Sequence, residues 1–119
     1  SLRGSLYELW GARVNRTDEA VVVADLLAQS LYDETLRPQL AAYYDLAAQQ
    51  IVEYLTKNLF SLGIEPRIPP PMLSRLVIAL MDGLSMQAFA QPDRFQPDEV
   101  VQAIETLAIS LFMPPGSMP

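Results

Sequence analysis

Residues 71–92 read Pro-Met-Leu-Ser-Arg-Leu-Val-Ile-Ala-Leu-Met-Asp-Gly-Leu-Ser-Met-Gln-Ala-Phe-Ala-Gln-Pro. Pro71 suits a first helical position and Pro92 cannot continue a helix, so the two bracket about twenty helical residues. At about 100° per residue, Met72, Leu73, Leu76, Val77, Leu80, Met81, Leu84 and Ala88 cover nearly half the circumference. The opposite side carries Ile78, Ala79, Met86 and Phe89 beside Arg75, Asp82 and Ser85. A helix apolar almost all round needs cover on two sides. The rest of a short chain supplies one cover, and a second copy of the chain is the economical source of the other. Gly83 fits a close helix–helix approach or an ordinary tolerated glycine. Asp82 and Arg75 share a face, as an intersubunit contact or a solvated pair.

Beyond this helix, 119 residues make one domain that buries roughly two-thirds of its unfolded surface. Half the residues are hydrophobic and 18% are charged, a balance that excludes disorder. With neither cysteine nor histidine, the chain lacks disulfides, thiolate metal sites and the commonest general base. The net charge is −6, and the eight basic side chains stand singly, so no phosphate-binding patch is expected and these residues should not bind nucleic acid. No apolar run reaches a membrane-spanning length and no signal layout opens the chain, so a soluble, cytoplasmic protein is expected.

Working outward, residues 2–14 read as a helix with Leu2, Leu6 and Leu9 on one line and Tyr7, Trp10 and Val14 on the next. Thr17 is a candidate N-cap for a helix over 18–32, with Asp18 and Glu19 at its positive dipole end. Ala20, Val23, Ala24, Leu27 and Leu31 form its core stripe. Val21, Val22 and Tyr32 lie opposite, so this helix too is expected to be largely enclosed. A turn over 33–38 leads into a long helix running to Leu62, stopped by Gly63 and Pro66. Its stripe is Leu36, Leu40, Tyr43, Tyr44, Ala47, Ile51, Tyr54, Leu55 and Leu62. After a second turn at 92–96, Pro97-Asp98-Glu99 opens the last helix. There Ile109, Phe112 and Met113 extend the apolar surface beyond what one side needs. Residues 114–119 read as a disordered tail.

Tyr7, Trp10, Tyr43, Tyr44, Tyr54 and Asn58 form a set that could line an apolar pocket with a few polar tips. Taken singly, each aromatic fits plain core better than a pocket wall. Asp25 and Gln29 join the pocket set if they face inward and form a solvated face if they do not. The acidic pairs Asp18/Glu19, Asp33/Glu34 and Asp98/Glu99 sit at helix starts, where the dipole accounts for them. With no phosphate loop, nucleophile elbow or metal cluster, neither catalytic residues nor a cofactor or metal is expected.

The combination Ala-Leu-Met-Asp-Gly-Leu-Ser-Met-Gln-Ala (79–88), Pro-Asp (92–93) and a final helix opening Pro-Asp-Glu (97–99) resembles the C-terminal half of TetR-family transcriptional regulators. Tyr-Asp-Glu-Thr-Leu-Arg-Pro-Gln-Leu-Ala-Ala-Tyr-Tyr (32–44) is similar to the segment between that family's middle helices, and the likeness spans residues 20–112. It implies an all-α bundle of about five helices over 1–113. The last two helices (71–90 and 97–113) would form an intersubunit four-helix bundle in a homodimer, with Ile78, Asp82, Met86, Phe89, Ile109 and Phe112 at the interface. A small hydrophobic effector would enter among the earlier helices, near Tyr7, Trp10, Asp25, Gln29, Tyr43, Tyr44, Tyr54 and Asn58. The family's basic helix-turn-helix head is not in this sequence, so operator DNA would be bound through a longer parent repressor. The alternative is a dimeric helical scaffold with no effector.

Overall fold

The computed structural model describes residues 2–15 and 17–112. Arg16, the Thr17 side chain expected as a cap, Met113 and the expected tail 114–119 lie outside the described residues. Among those described, five α-helices and no strand occur: α1 (Leu2–Asn15), α2 (Thr17–Ser30), α3 (Arg37–Asn58), α4 (Pro70–Ala90) and α5 (Pro97–Phe112). Short 3-10 turns at Glu34–Leu36, Phe60–Leu62 and Pro92–Arg94 join them. The fold is all-α, as the sequence implies.

Local chemistry sets the joints. Asp33 accepts from the backbone N–H of Thr35 at 2.9 Å and its hydroxyl at 2.6 Å, capping the first turn. These hydrogen bonds hold the Asp33 carboxyl below the usual carboxylate range. The long helix stops at Asn58, short of the expected Leu62. Asn58 Nδ2 and Ser61 Oγ bond back to the carbonyls of Tyr54 and Lys57, and the Lys57 carbonyl is one that a further helical turn would have used. Gly63 then adopts φ 79°, with its N–H on the Phe60 carbonyl and the Ile64 N–H on the Leu59 carbonyl. That pair of bonds is a Schellman stop, and glycine is the residue that enters it without Cβ strain. Pro70 opens α4 and Pro97 opens α5, each where the missing N–H costs nothing.

The core forms where α1 lies against both α4 and α5. Leu6 and Trp10 of α1 are buried with Met81 and Ala88 of α4 and Val100, Val101 and Ile104 of α5. Leu2, Val14, Leu84 and Phe95 close its edges. On the other flank α3 packs along α4, and α2 rests on α3 and the end of α1. The backbones of α3 and α5 do not meet, so space remains between them. Ion pairs set the register at three junctions: Arg3–Glu105 at 2.9 Å (α1–α5), Arg13–Asp82 (α1–α4) and Arg75–Asp45 at 2.6 Å (α4–α3). The expected Asp82–Arg75 pair does not form. Seven residues put the two about 10.5 Å apart along the axis, and each has a nearer partner on another helix.

Two expectations about faces are corrected. The buried side of α4 is Leu73, Ser74, Ile78, Met81 and Ala88, turned roughly a fifth of a revolution from the expected stripe. Met72 and Leu76 are exposed instead. The buried Ser74 hydroxyl is satisfied by the Pro71 carbonyl at 2.7 Å, so burial there costs little. Helix α2 is not enclosed: Val21 and Val22 are exposed, and so are Leu31 and Tyr32 just beyond its end, Tyr32 at 92%. It packs along one side only, because among the described residues no element lies over the other. Finally, α4 is long and apolar enough, by length and composition, to cross a membrane, which the sequence was not expected to contain. Its charges are paired within the chain and one side fills the core, the pattern of a bundle's central helix.

These assignments predict a sharp contrast in equilibrium denaturation. Met81→Ala, at a site 2% exposed, should cost about 2–5 kcal/mol. Val22→Ala, at a site 67% exposed, should stay within about 0.5 kcal/mol of the parent chain.

Candidate functional site

Two cavities of about 370 Å³ each open among the helices. The first occupies the space between α3 and α5, walled by α1 and α4. Its lining is mostly aliphatic and aromatic, with Leu6 and Leu9 from α1, Ile51 and Leu55 from α3, Val77 and Leu80 from α4, and Leu107 and Phe112 from α5, while Glu8, Arg13 and Gln50 bring polar groups to it. At its edge the Ser5 and Tyr54 hydroxyls share a hydrogen bond of 2.6 Å that joins α1 to α3. The Phe60 and Phe112 rings, 6.5 Å apart, draw the end of α5 toward the turn after α3. The Arg67 N–H on the Leu111 carbonyl at 2.9 Å fastens the loop to the same place.

The second cavity lies between α2 and α3, reaching to α1 and α4. Ala20, Val23, Ala24 and Leu27 give it one apolar wall. Tyr43 and Tyr44 stand edge to face, 5.5 Å between centroids, on another. Glu19, Gln50, Ser85 and the Arg13–Asp82 pair supply polar groups. Arg13, Ala47 and Gln50 line both cavities, so the two adjoin across those side chains.

Of the sequence-derived pocket candidates, the structure brings Tyr43 and Tyr44 to one cavity and Tyr54 to the other. Trp10, 3% exposed, belongs to the core and lines neither. Tyr7 sits on the outside of α1 and donates its hydroxyl to Asp98. Asp25 and Gln29 bond to each other at 2.8 Å on the exposed side of α2, which resolves that pair as a solvated face. Asn58 is exposed and caps its own helix. Sequence reasoning missed Arg13, Gln50 and Ser85. For Arg13 a signal existed, since it extends the Leu2, Leu6, Leu9 line by another four residues.

The family model described as BetI-type transcriptional repressor, C-terminal, matches residues 2–112. The chain belongs to this family, within the TetR regulators. Searches of curated proteins and of solved structures give no match. In this BetI-type domain the residues expected at a dimer interface divide into two groups. Met86, Phe89 and Ile109 are exposed, Phe89 at 77%. The other three turn inward: Ile78 is buried at 4%, Asp82 holds Arg13, and Phe112 lines the α3–α5 cavity. The rotation of α4 described above accounts for Ile78. The exposed side of α4 is instead Met72, Leu76, Ala79, Gly83, Met86 and Phe89, an apolar and small-residue stripe with the exposed Arg75 beside it.

The Tyr7–Asp98 contact yields a pH prediction for the BetI-type domain. Donation to the carboxylate is lost when the phenol ionises, and this pushes the Tyr7 hydroxyl above its ordinary titration range. A phenol raised in the folded state contributes stability below its unfolded value and loses it as pH rises through the folded one. Tyrosinate absorbance should show the Tyr7 phenol titrating late, and Asp98→Asn should bring it down toward the ordinary phenol range.

Proposed function

We propose that this domain senses a small hydrophobic ligand and dimerises, and so controls DNA binding by a helix-turn-helix head carried by its parent repressor. One observation carries the reading: α4 walls both cavities and also presents the exposed stripe. Leu73, Val77 and Leu80 face the α3–α5 cavity, Asp82 and Ser85 face the α2–α3 cavity, and the exposed Met86 stands at the edge between that second cavity and the stripe. On its other side Met72, Leu76, Ala79 and Gly83 are open to a second copy. A molecule settling in either cavity therefore touches the element on which two copies would pair.

In the homodimer the α4 stripe and the exposed side of α5, including Ile109, form a bundle with their counterparts. Ligand shifts the remaining helices against that bundle and alters the spacing of the two heads. Heads that must meet successive major-groove half-sites tolerate little change in separation. The ligand acts to the extent that its affinity differs between the two arrangements. The domain works in the cytoplasm as a binding module, with no reaction of its own and no cofactor. Neither enzyme chemistry nor direct nucleic-acid contact is assigned to it.

Gly83 offers a clean test. A Cβ built there meets nothing within 4 Å among the described residues, so one copy tolerates a side chain that a close second copy does not. Gly83→Glu should keep the helical circular dichroism, since most residues outrank glycine in helix interiors by up to about 1 kcal/mol. In sedimentation equilibrium the unsubstituted domain should be a dimer and Gly83→Glu a monomer. A monomeric parent chain, or a Gly83→Glu dimer, rules out this interface. A dimer that no hydrophobic compound stabilises in thermal unfolding would be the effector-free scaffold.

A further inference from the structure

Among the described residues, α2 is the one α-helix that gives no hydrophobic side chain to the buried core. It is apolar nonetheless, since every residue over 20–28 except Asp25 is Ala, Val or Leu. It touches only α1, α3 and the turn that joins it to α3. Val21, Ala24 and Ala28, at i, i+3 and i+7, share one exposed line, with Ala24 at its edge toward the α2–α3 cavity. The exposed Leu31 and Tyr32 follow just beyond the helix end. Apolar residues at helical spacing on an open side suit the apolar face of another helix.

Carboxylates stand beside this line. Between Arg16 and Arg37 the sequence holds five acids, Asp18, Glu19, Asp25, Asp33 and Glu34, and no base. Asp25 accepts from Gln29 and Asp33 from Thr35, neutral partners that leave each carboxylate its charge. Arg37 lies 3.6 Å from Glu34 at the far end, between exposed side chains where pairing offsets little. Asp18 and Asp25, two turns apart, fall on one line next to the apolar one. We propose that the outer side of α2 docks a basic amphipathic helix of another protein, its apolar residues along Val21, Ala24 and Ala28 and its Lys or Arg side chains over Asp18 and Asp25.

Charge selects this occupant. A second copy brings the same carboxylates to the contact, and like charges set against each other oppose it. An anionic lipid surface or a nucleic acid is repelled on the same ground. The small side chains of Ala24 and Ala28 favour the short end of the usual 8–10 Å separation between packed helices. On its other side α2 walls the α2–α3 cavity with Val23 and Leu27. A docked helix and a cavity ligand therefore act on opposite sides of one element, which gives the domain a protein input besides any small molecule. The docking proposal does not depend on the ligand-sensing reading.

Fluorescence anisotropy of a labelled peptide, with Leu at i, i+3, i+4 and i+7 and Lys elsewhere, tests this as the domain is added. The controls are the same composition in scrambled order and the same pattern with Glu for Lys. The patterned Lys peptide should bind at least about tenfold tighter than either control. Its affinity should fall at least about threefold as ionic strength rises from about 0.1 to 1 M, which shortens the screening length from about 10 to 3 Å. Asp18→Asn with Asp25→Asn should weaken binding about tenfold and flatten that salt dependence. Ala28→Arg, at an exposed site where arginine is nearly as good a helix former as alanine, should keep the circular dichroism and abolish binding. Gly83→Glu, on α4, should leave the affinity within about twofold. If the double Asp variant unfolds, Ala28→Arg and the salt series decide. Equal binding of the scrambled peptide, loss with Gly83→Glu in place of Ala28→Arg, or no binding at all overturns the proposal. A sedimentation mass that falls with Ala28→Arg does so too, because a second copy then occupies α2.

Discussion

A helix with no polar face has to be covered on both sides, and α4 imposes that demand on everything around it. Its inner side is met by Leu6 and Trp10 of α1, and by α3 packed along its length. Each large apolar side chain so buried contributes about 1.5–3 kcal/mol. Its outer side, from Met72 to Phe89, is exposed among the described residues. One element thus fixes the core, bounds both cavities and leaves an apolar stripe facing out.

Helix α1 makes this arrangement possible. It touches α4 and α5, whose backbones stay apart, and its two buried residues fill the gap between them. Glycines at 4 and 11 make it a poor helix in isolation, so its helicity depends on the packing of Leu6 and Trp10. Ion pairs at its two ends, Arg3–Glu105 and Arg13–Asp82, set where it lies along α5 and α4. The exposed Arg3–Glu105 pair adds little free energy, and Arg13–Asp82 is only part-buried. Their contribution is register, which hydrophobic contact alone leaves loose.

What the sequence made legible follows from how local each signal is. Helix limits were set by prolines 70 and 97 and by Gly63, which act through their own backbone, and these were readable to within a few residues. The early stop at Asn58 depended on side-chain bonds to Tyr54 and Lys57, which no hydrophobic period encodes. Which side of α4 turns inward was not readable, because apolar residues on every side leave the hydrophobic stripe without a direction. The same ambiguity misled the reading of α2, whose Val21 and Val22 look like a second buried side and are exposed. Among the pocket candidates, Tyr43, Tyr44 and Tyr54 share a stripe on one helix and reached cavities, since periodicity reports on a single element. Trp10 and Tyr7 were misplaced because core, cavity and surface positions on α1 differ by contacts with α5, about 90 residues away. Arg13 found Asp82 across 69 residues, a pairing that only the assembled bundle creates.

The geometry of α4 also limits how a ligand could be felt. The helix is about 10–12 Å across with its side chains, so cavity wall and outer stripe are separated by little more than one backbone. A helix hydrogen-bonded along its whole length does not deform locally at such a distance; it shifts or rotates as a body. If the stripe pairs two copies, any movement imposed from the cavity reaches the pairing surface directly, without a relay of side chains. Linkage then requires the converse: pairing at the stripe must change affinity in the cavity by the same factor. A domain with one helix in both places cannot have ligand binding and self-association that are energetically independent unless α4 stays still when the cavity fills. The Arg13–Asp82 tie is the contact best placed to decide that, because it fastens α4 to α1 where the two cavities meet.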